Sequence, residues 1–350
     1  MEQKTFDPDG VGVATGTYFG LPFEPETSEL VLISAPWDVT VSYGAGTAYA
    51  PDAIIEASTQ LDFYEPLATD AWRRGIATAD VDYTLLELSQ RLRSDAERVI
   101  DHLEGGGSLD DDHVVRKVRR VNEGSRTLNA NIEAQAARWL DAGKIVGLVG
   151  GDHSTPYGLI RALGARHASF GILHIDAHCD LREAYEGFEY SHASIMYNVL
   201  RDIPQVTRLV QVAVRDFSAT EAALAASSER IETFDDLSLS GGRFRGETWD
   251  AQCREIVERL PEEVYVSFDI DGLTLENCPH TGTPVCGGLG FNEAIWLLDT
   301  LARSGRRIIG FDIVEVAPSP EGRIDAIAGA RMLWKLCGLT LKSNNQQNQR

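Results

Sequence analysis

Three short stretches hold side chains able to bind metal ions or move protons: Gly150-Gly151-Asp152-His153-Ser154, Asp176-Ala177-His178-Cys179-Asp180 and Ser267-Phe268-Asp269-Ile270-Asp271. Residues two apart in an extended segment point to the same side. Asp176, His178 and Asp180 are therefore expected to form one row, and Asp269 with Asp271 a second. Four carboxylates and two imidazoles facing one cleft cannot all stay ionised without a counter-charge. Two divalent cations would supply it, and carboxylates can bridge them. Each stretch alone reads more simply as a polar turn, with Asp152 or Ser154 capping a helix. Together, carrying only hard or borderline ligands, they point to metal chemistry.

Something must bring the three stretches together. Each follows or ends a short apolar run, and ligands in an open α/β sheet bind beyond the carboxyl ends of the strands. Candidate strands are Leu30–Ala35, Gly75–Val81, Ile145–Val149, Phe170–Ile175, Arg208–Val214, Arg230–Phe234, Val264–Ile270 and Arg307–Ile313. Most are rich in β-branched residues and bounded by polar or Gly-rich segments, as buried parallel strands are. Helical patterns at Leu85–Leu103, Asn129–Ala142, Thr220–Ala226, Asp250–Arg259 and Asn292–Ala302 separate several of them. The pattern predicts an α/β fold with one mostly parallel eight-stranded sheet. Residues 1–28 read as an irregular arm, 29–340 as a single domain and 341–350 as a loose tail. Gly105–Asp112 is the best surface loop.

Composition narrows the partners. The chain has 350 residues with 32 Lys or Arg against 53 Asp or Glu, a formal charge of −21. Nucleic-acid and anionic-membrane binders need concentrated positive charge, so neither partner is expected; a small cationic ligand suits better. The five cysteines are scattered without a CxxC pair, which argues for a reduced, cytoplasmic protein without a disulfide framework.

The three stretches resemble the signature motifs of the ureohydrolase (arginase/agmatinase) family. The similarity continues through Val41–Ser58, Thr281-Gly282-Thr283-Pro284, Gly287-Gly288-Leu289 and Glu315-Val316-Ala317-Pro318. This resemblance implies the three-layer α-β-α arginase-type fold and a trimeric or hexameric homo-oligomer, with a homologous partner subunit as a variant. It implies one metal ion on His153, Asp176, Asp180 and Asp269, and a second on Asp176, His178, Asp269 and Asp271. The ions are expected to be Mn²⁺ or Ni²⁺, since manganese is usual in the family and nickel is associated with its guanidine branch.

The implied reaction is hydrolysis of a C–N bond in a linear amidine. A guanidinium is flat, cationic and resonance-stabilised, so water alone attacks it slowly. The resemblance gives Glu315 the task of holding the guanidinium, Asp271 that of accepting a proton, and His192 that of delivering one to the departing amine. Thr283 is expected near the guanidinium. Arg182 stands where arginases place a small polar group, His280 precedes Thr281, and Trp37 is bulkier than is typical; these three are candidate specificity residues.

The stretch LREAYEGF…YSHAS is similar to the branch that includes guanidine and biguanide (metformin) hydrolases. Trp37, Tyr43, Tyr185, Phe188 and Tyr190 would suit a small or N-alkylated cation. The expected substrate is therefore guanidine, an alkylguanidine or a biguanide. Agmatine, guanidinobutyrate and arginine are the alternatives, and a regulatory subunit is the non-enzyme alternative. His174 reads as a satisfied interior imidazole.

Overall fold

The computed structural model describes residues 6–345. Eight strands form one sheet: β1 (Leu30–Ala35), β2 (Ile76–Thr78), β3 (Ile145–Gly150), β4 (Phe170–Ile175), β5 (Val206–Val212), β6 (Ile231–Phe234), β7 (Glu263–Asp269) and β8 (Arg307–Val314). Their order is β2-β1-β3-β8-β7-β4-β5-β6. Every pairing is parallel. All eight expected strands are present, with ends shifted by a few residues, and the sheet is wholly rather than mostly parallel.

Among the described residues, ten helices cover it: α1 (Ala50–Ser58), α2 (Tyr83–Glu104), α3 (Asp112–Asp141), α4 (Tyr157–Gly164), α5 (Ile195–Asp202), α6 (Ala219–Ser227), α7 (Asp236–Phe244), α8 (Trp249–Glu258), α9 (Phe291–Arg303) and α10 (Ile324–Asn345). Alternating strand residues feed two cores. Val31, Ile33, Leu148, Ile172 and Leu209 pack with residues of α2 to α5. Leu32, Leu173, Val210, Val266 and Phe311 pack with residues of α1 and α7 to α10. This is the expected three-layer arrangement. Among the described residues, no helix is long and apolar enough to cross a membrane.

The departures from expectation have physical causes. Helix α10 buries residues on nearly all sides, so its sequence shows no amphipathic stripe, and α4 has only eight residues, too few to show the period. Helix α3 begins at Asp112, well before Asn129, and its first half buries Val114 and Val121 among charged, exposed neighbours. Residues 6–28 are irregular apart from a 3₁₀ turn at Tyr18–Gly20, which is packed down: Tyr18 and Phe19 are buried, and Phe19 stacks edge-on against Trp334; residues 1–5 of the expected arm lie outside the described residues. The tail reading fails at its start, since α10 continues through Asn345 with Leu341 and Ser343 buried. Its remainder, residues 346–350, lies outside the described residues.

The four central strands β3, β8, β7 and β4 all end on one side of the sheet. The loop after β3 must pass close under Trp37, where Asp152 N–H donates to the Trp37 carbonyl at 2.8 Å. A Cβ at Gly151 would collide with that carbonyl oxygen. Gly151→Ala is therefore expected to cost about 1–3 kcal/mol of stability through overpacking, read from the midpoint of urea denaturation. An unchanged midpoint would show that the turn has slack.

Candidate metal centre

The end of each central strand delivers part of one cluster. His153 comes from the loop after β3, and Asp176, His178 and Asp180 from the segment after β4. Asp269 ends β7, with Asp271 in the 3₁₀ turn that follows, and Glu315 comes directly after β8. His153 Nδ1 lies 2.9 Å from Asp176 Oδ2, and 3.2 Å from both Asp180 Oδ2 and Asp269 Oδ2. His178 Nδ1 lies 3.1 Å from Asp271 Oδ2 and 3.4 Å from Asp176 Oδ1. The six expected ligands thus meet in two adjoining groups that share Asp176.

Strand alternation is not what aims them. The chain leaves β4 at Ile175, where Asp176 Oδ1 accepts the His178 N–H at 2.6 Å. Asp180 sits in the left-handed region at φ 54°, unusual for a residue with a side chain. Likewise Asp269 Oδ1 accepts the Asp271 N–H at 2.8 Å, which folds that pair into a turn. Short carboxylate-to-backbone bonds replace the pleat as the aiming device.

The charges show what the cluster requires. Burial and the Asp176 charge push the Asp180 carboxyl up to about 6. Burial with Asp271 and Asp176 raises Asp269 well above the carboxylate range. Burial works to lower His178, yet Asp271 and Asp176 drive it up to about 12. Asp176 is held well below the usual range, burial notwithstanding, by the imidazoles of His174, His153 and His178. His153 Nδ1 is buried and lacks a hydrogen-bond partner of good geometry. Protons here stand in for positive charge that the cluster otherwise lacks, so the donor set fits divalent cations.

Glu315 is the most constrained residue beside it. Its backbone is left-handed at φ 61°. Its N–H donates to Gly151 O at 2.8 Å, its carbonyl accepts from Thr281 Oγ1 at 2.9 Å, and its Oε1 accepts the His153 N–H at 2.8 Å. The other oxygen, Oε2, is buried without a partner. Burial and Asp152 raise this carboxyl well above its ordinary value. An unpaired buried carboxylate is costly and calls for a cationic donor.

A cavity of about 390 Å³ opens over His178 and Asp180. Arg182, Tyr185, His192, Thr283 and Tyr43 line it, as the sequence suggested for a substrate pocket. Burial and the neighbouring His178 push His192 down to about 3, so its imidazole is neutral. Two specificity candidates fall elsewhere. Trp37 is a fully buried core residue, because its ring packs among side chains of α2 and α3. His280 turns aside to Asp325, with Nδ1 2.7 Å from Oδ2. Phe188 is core as well, and Tyr190 packs on Tyr157.

Sequence reasoning missed several residues around the cavity. Glu221 is buried, caps α6 together with Ser218, and accepts the Leu181 N–H beside Asp180 at 3.2 Å. The Ser218…Glu221 spacing is a capping-box signature that would have revealed the first of these roles. Arg215 gathers the carbonyls of Ala213, Asp271 and Val285 at 2.6–3.0 Å. Nothing local in sequence marks a side chain whose partners are backbone carbonyls.

The Arginase family profile matches residues 28–338. The chain belongs to the arginase family. It is a hydrolase of the ureohydrolase type, acting on C–N bonds of guanidino compounds. It is 30% identical over 316 residues to the N(1)-aminopropylagmatine ureohydrolase of Thermus thermophilus, covering 90% of this chain and 91% of that protein. It is 30% identical over 321 residues to the agmatinase of Neisseria meningitidis, covering 90% and 88%. The proclavaminate amidino hydrolase structure from Streptomyces clavuligerus has the same fold, with a TM-score of 0.71 at 21% identity over 93% of this chain and 97% of that one.

Asp269→Asn and His178→Ala are expected to lose metal and turnover while keeping their far-ultraviolet circular dichroism. Proton displacement sets the pH dependence. His178 and Asp269 must each shed a proton to ligate, so manganese affinity is expected to fall at least about tenfold per unit of acidification from about pH 8 to 6. Below the Asp180 value of about 6 the fall should steepen. Chelator competition at fixed pH checks this, and a flat profile would contradict it.

Proposed function

We propose that this chain hydrolyses a small guanidino cation at a two-metal centre, releasing urea or a urea derivative together with ammonia or an amine. The observation that carries the reading is the buried, unpartnered Oε2 of Glu315, one residue contact away from His153 in the carboxylate cluster. His153, Asp176, Asp180 and Asp269 would hold one ion, and Asp176, His178, Asp269 and Asp271 the other. The ions, manganese or nickel, supply when bound the positive charge that balances the carboxylates and acidifies a water molecule.

The remaining work falls to the protein. Glu315 pairs with the guanidinium and fixes its plane. Asp271 takes up a proton from the attacking water. His192, neutral in its buried position, accepts a proton and passes it to the departing amine. Thr283, lining the same cavity, offers a hydroxyl to the guanidinium.

The named substrates of the relatives favour an aminoalkylguanidine of the agmatine kind. Asp216, an exposed acid at the rim of the cavity, suits the ammonium at the far end of such a molecule. One observation favours a second reading, in which the substrate is guanidine itself, an alkylguanidine or a biguanide. Arg182 lies in the same cavity with its guanidinium 4.7 Å from the centre of the Tyr185 ring. A resident cation there repels a second ammonium, while Tyr43, Phe217, Pro284 and Val285 supply apolar walls for short substituents.

Assays of the manganese- and nickel-loaded protein against guanidine, methylguanidine, dimethylbiguanide, agmatine, guanidinobutyrate and arginine test both readings, with the products identified. Glu315→Gln is expected to lower kcat/KM roughly 10–150-fold, the worth of one hydrogen bond to a charged group. Arg182→Ser is expected to reorder the substrates and leave metal content unchanged. Failure of every guanidino compound would overturn the proposal.

A further inference from the structure

One row of polar side chains crosses the interior of the sheet just below the cluster. Strand register aligns Thr233 on β6 with Gln211 on β5, Gln211 with His174 on β4, His174 with Ser267 on β7, and Ser267 with Asp312 on β8. Gln211, His174, Ser267 and Asp312 are all fully buried. The adjoining rows are apolar: Val210, Leu173, Val266 and Phe311 before it, and Val212, Ile175, Phe268 and Ile313 after it. Packing alone would fill such a row with Val or Ile, as buried parallel strands do. Two residues further along the chain stand Asp176, just past the end of β4, and Asp269, the last residue of β7, so the row lies next to the ligands.

The hydrogen bonds fix the proton positions. The Cys179 carbonyl can only accept, so Gln211 Nε2, 2.7 Å away, is the donor. The same amide nitrogen lies 3.0 Å from His174 Nδ1, which must then be bare. His174 Nε2 therefore carries the hydrogen and donates to Asp176 Oδ2 at 2.8 Å. With both nitrogens engaged, His174 cannot itself ligate an ion. On the other side of the row, Ser267 Oγ lies 2.9 Å from His153 Nε2, while His153 Nδ1 faces the carboxylates.

We infer that Gln211, His174 and Ser267 form a single positioning layer, in which His174 orients Asp176, Ser267 orients His153, and Gln211 sets the His174 tautomer while tethering the ligand loop at Cys179. The inference rests on the two-metal reading above. None of these three residues touches substrate; each acts through a ligand, as hydrogen-bonded neighbours of metal ligands do.

The test uses the full chain and manganese alone. Ser267→Ala and His174→Leu are expected to weaken manganese binding in chelator competition by roughly 10–100-fold, with the far-ultraviolet circular dichroism of the metal-free chains unchanged. Ser267→Thr, which keeps the hydroxyl, and His174→Gln, which keeps a donor toward Asp176, should recover most of the affinity. Nitrogen-15 spectra of the metal-free wild type should show a His174 ring protonated at Nε2 and bare at Nδ1, assigned by its loss in His174→Gln. Wild-type affinity in both Ser267→Ala and His174→Leu, or a proton on His174 Nδ1, would overturn the positioning layer and leave the hydrolase reading intact. A wild-type chain that takes up no manganese would overturn both.

Discussion

Mutual repulsion among buried carboxylates governs this molecule. Asp176, Asp180, Asp269 and Asp271 are each almost wholly inaccessible and are packed around two imidazoles. Such a group is stable only if protons or cations neutralise part of it. The high proton affinity of Asp180, Asp269 and His178 expresses that demand. The rest of the architecture can be understood as holding these groups together against their charge.

The holding is done in two ways. The central strands bring four separate loops to one place, which a parallel sheet does at its carboxyl edge. Strained or tightly bonded backbone then aims each group: Asp180 and Glu315 in left-handed conformations, Asp176 and Asp269 bonded to N–H groups two residues on. Left-handed backbone in residues with side chains costs of order 1–3 kcal/mol each. Its presence at two residues of this one site follows from the need to turn a carboxylate toward a shared centre.

Above the cluster the rules change. The cavity walls come from loops rather than strands: Ser42 and Tyr43, Arg182 and Tyr185, Asp216 and Phe217, Thr283 to Val285. Loops tolerate substitution without disturbing the sheet, so substrate choice can diverge while the metal cradle stays the same. Arg182 shows how. Stacked on Tyr185 and 3.7 Å from Glu221, it places a cation in the wall of the cavity.

The fold class, the eight strands and the six residues that meet in the cluster were legible in sequence because each depends on local order: apolar runs of strand length, and metal-binding types just past their ends. The family resemblance singled out Glu315, which lies in a short motif, and the structure places it beside His153. What the sequence could not show depends on residues far apart in the chain. Trp37 and His280 look like pocket residues beside their motifs, yet one packs among helices and the other bonds to Asp325, some 45 positions away. His174 reads as an ordinary interior imidazole until β5 lays Gln211 beside it and the loop after β4 brings Asp176 Oδ2 to 2.8 Å from its Nε2. The sequence by itself thus determined which chemical groups the protein has and which strand carries each. Only the tertiary structure decided which of them touch, because contacts across a parallel sheet join segments dozens of residues apart and leave no local trace.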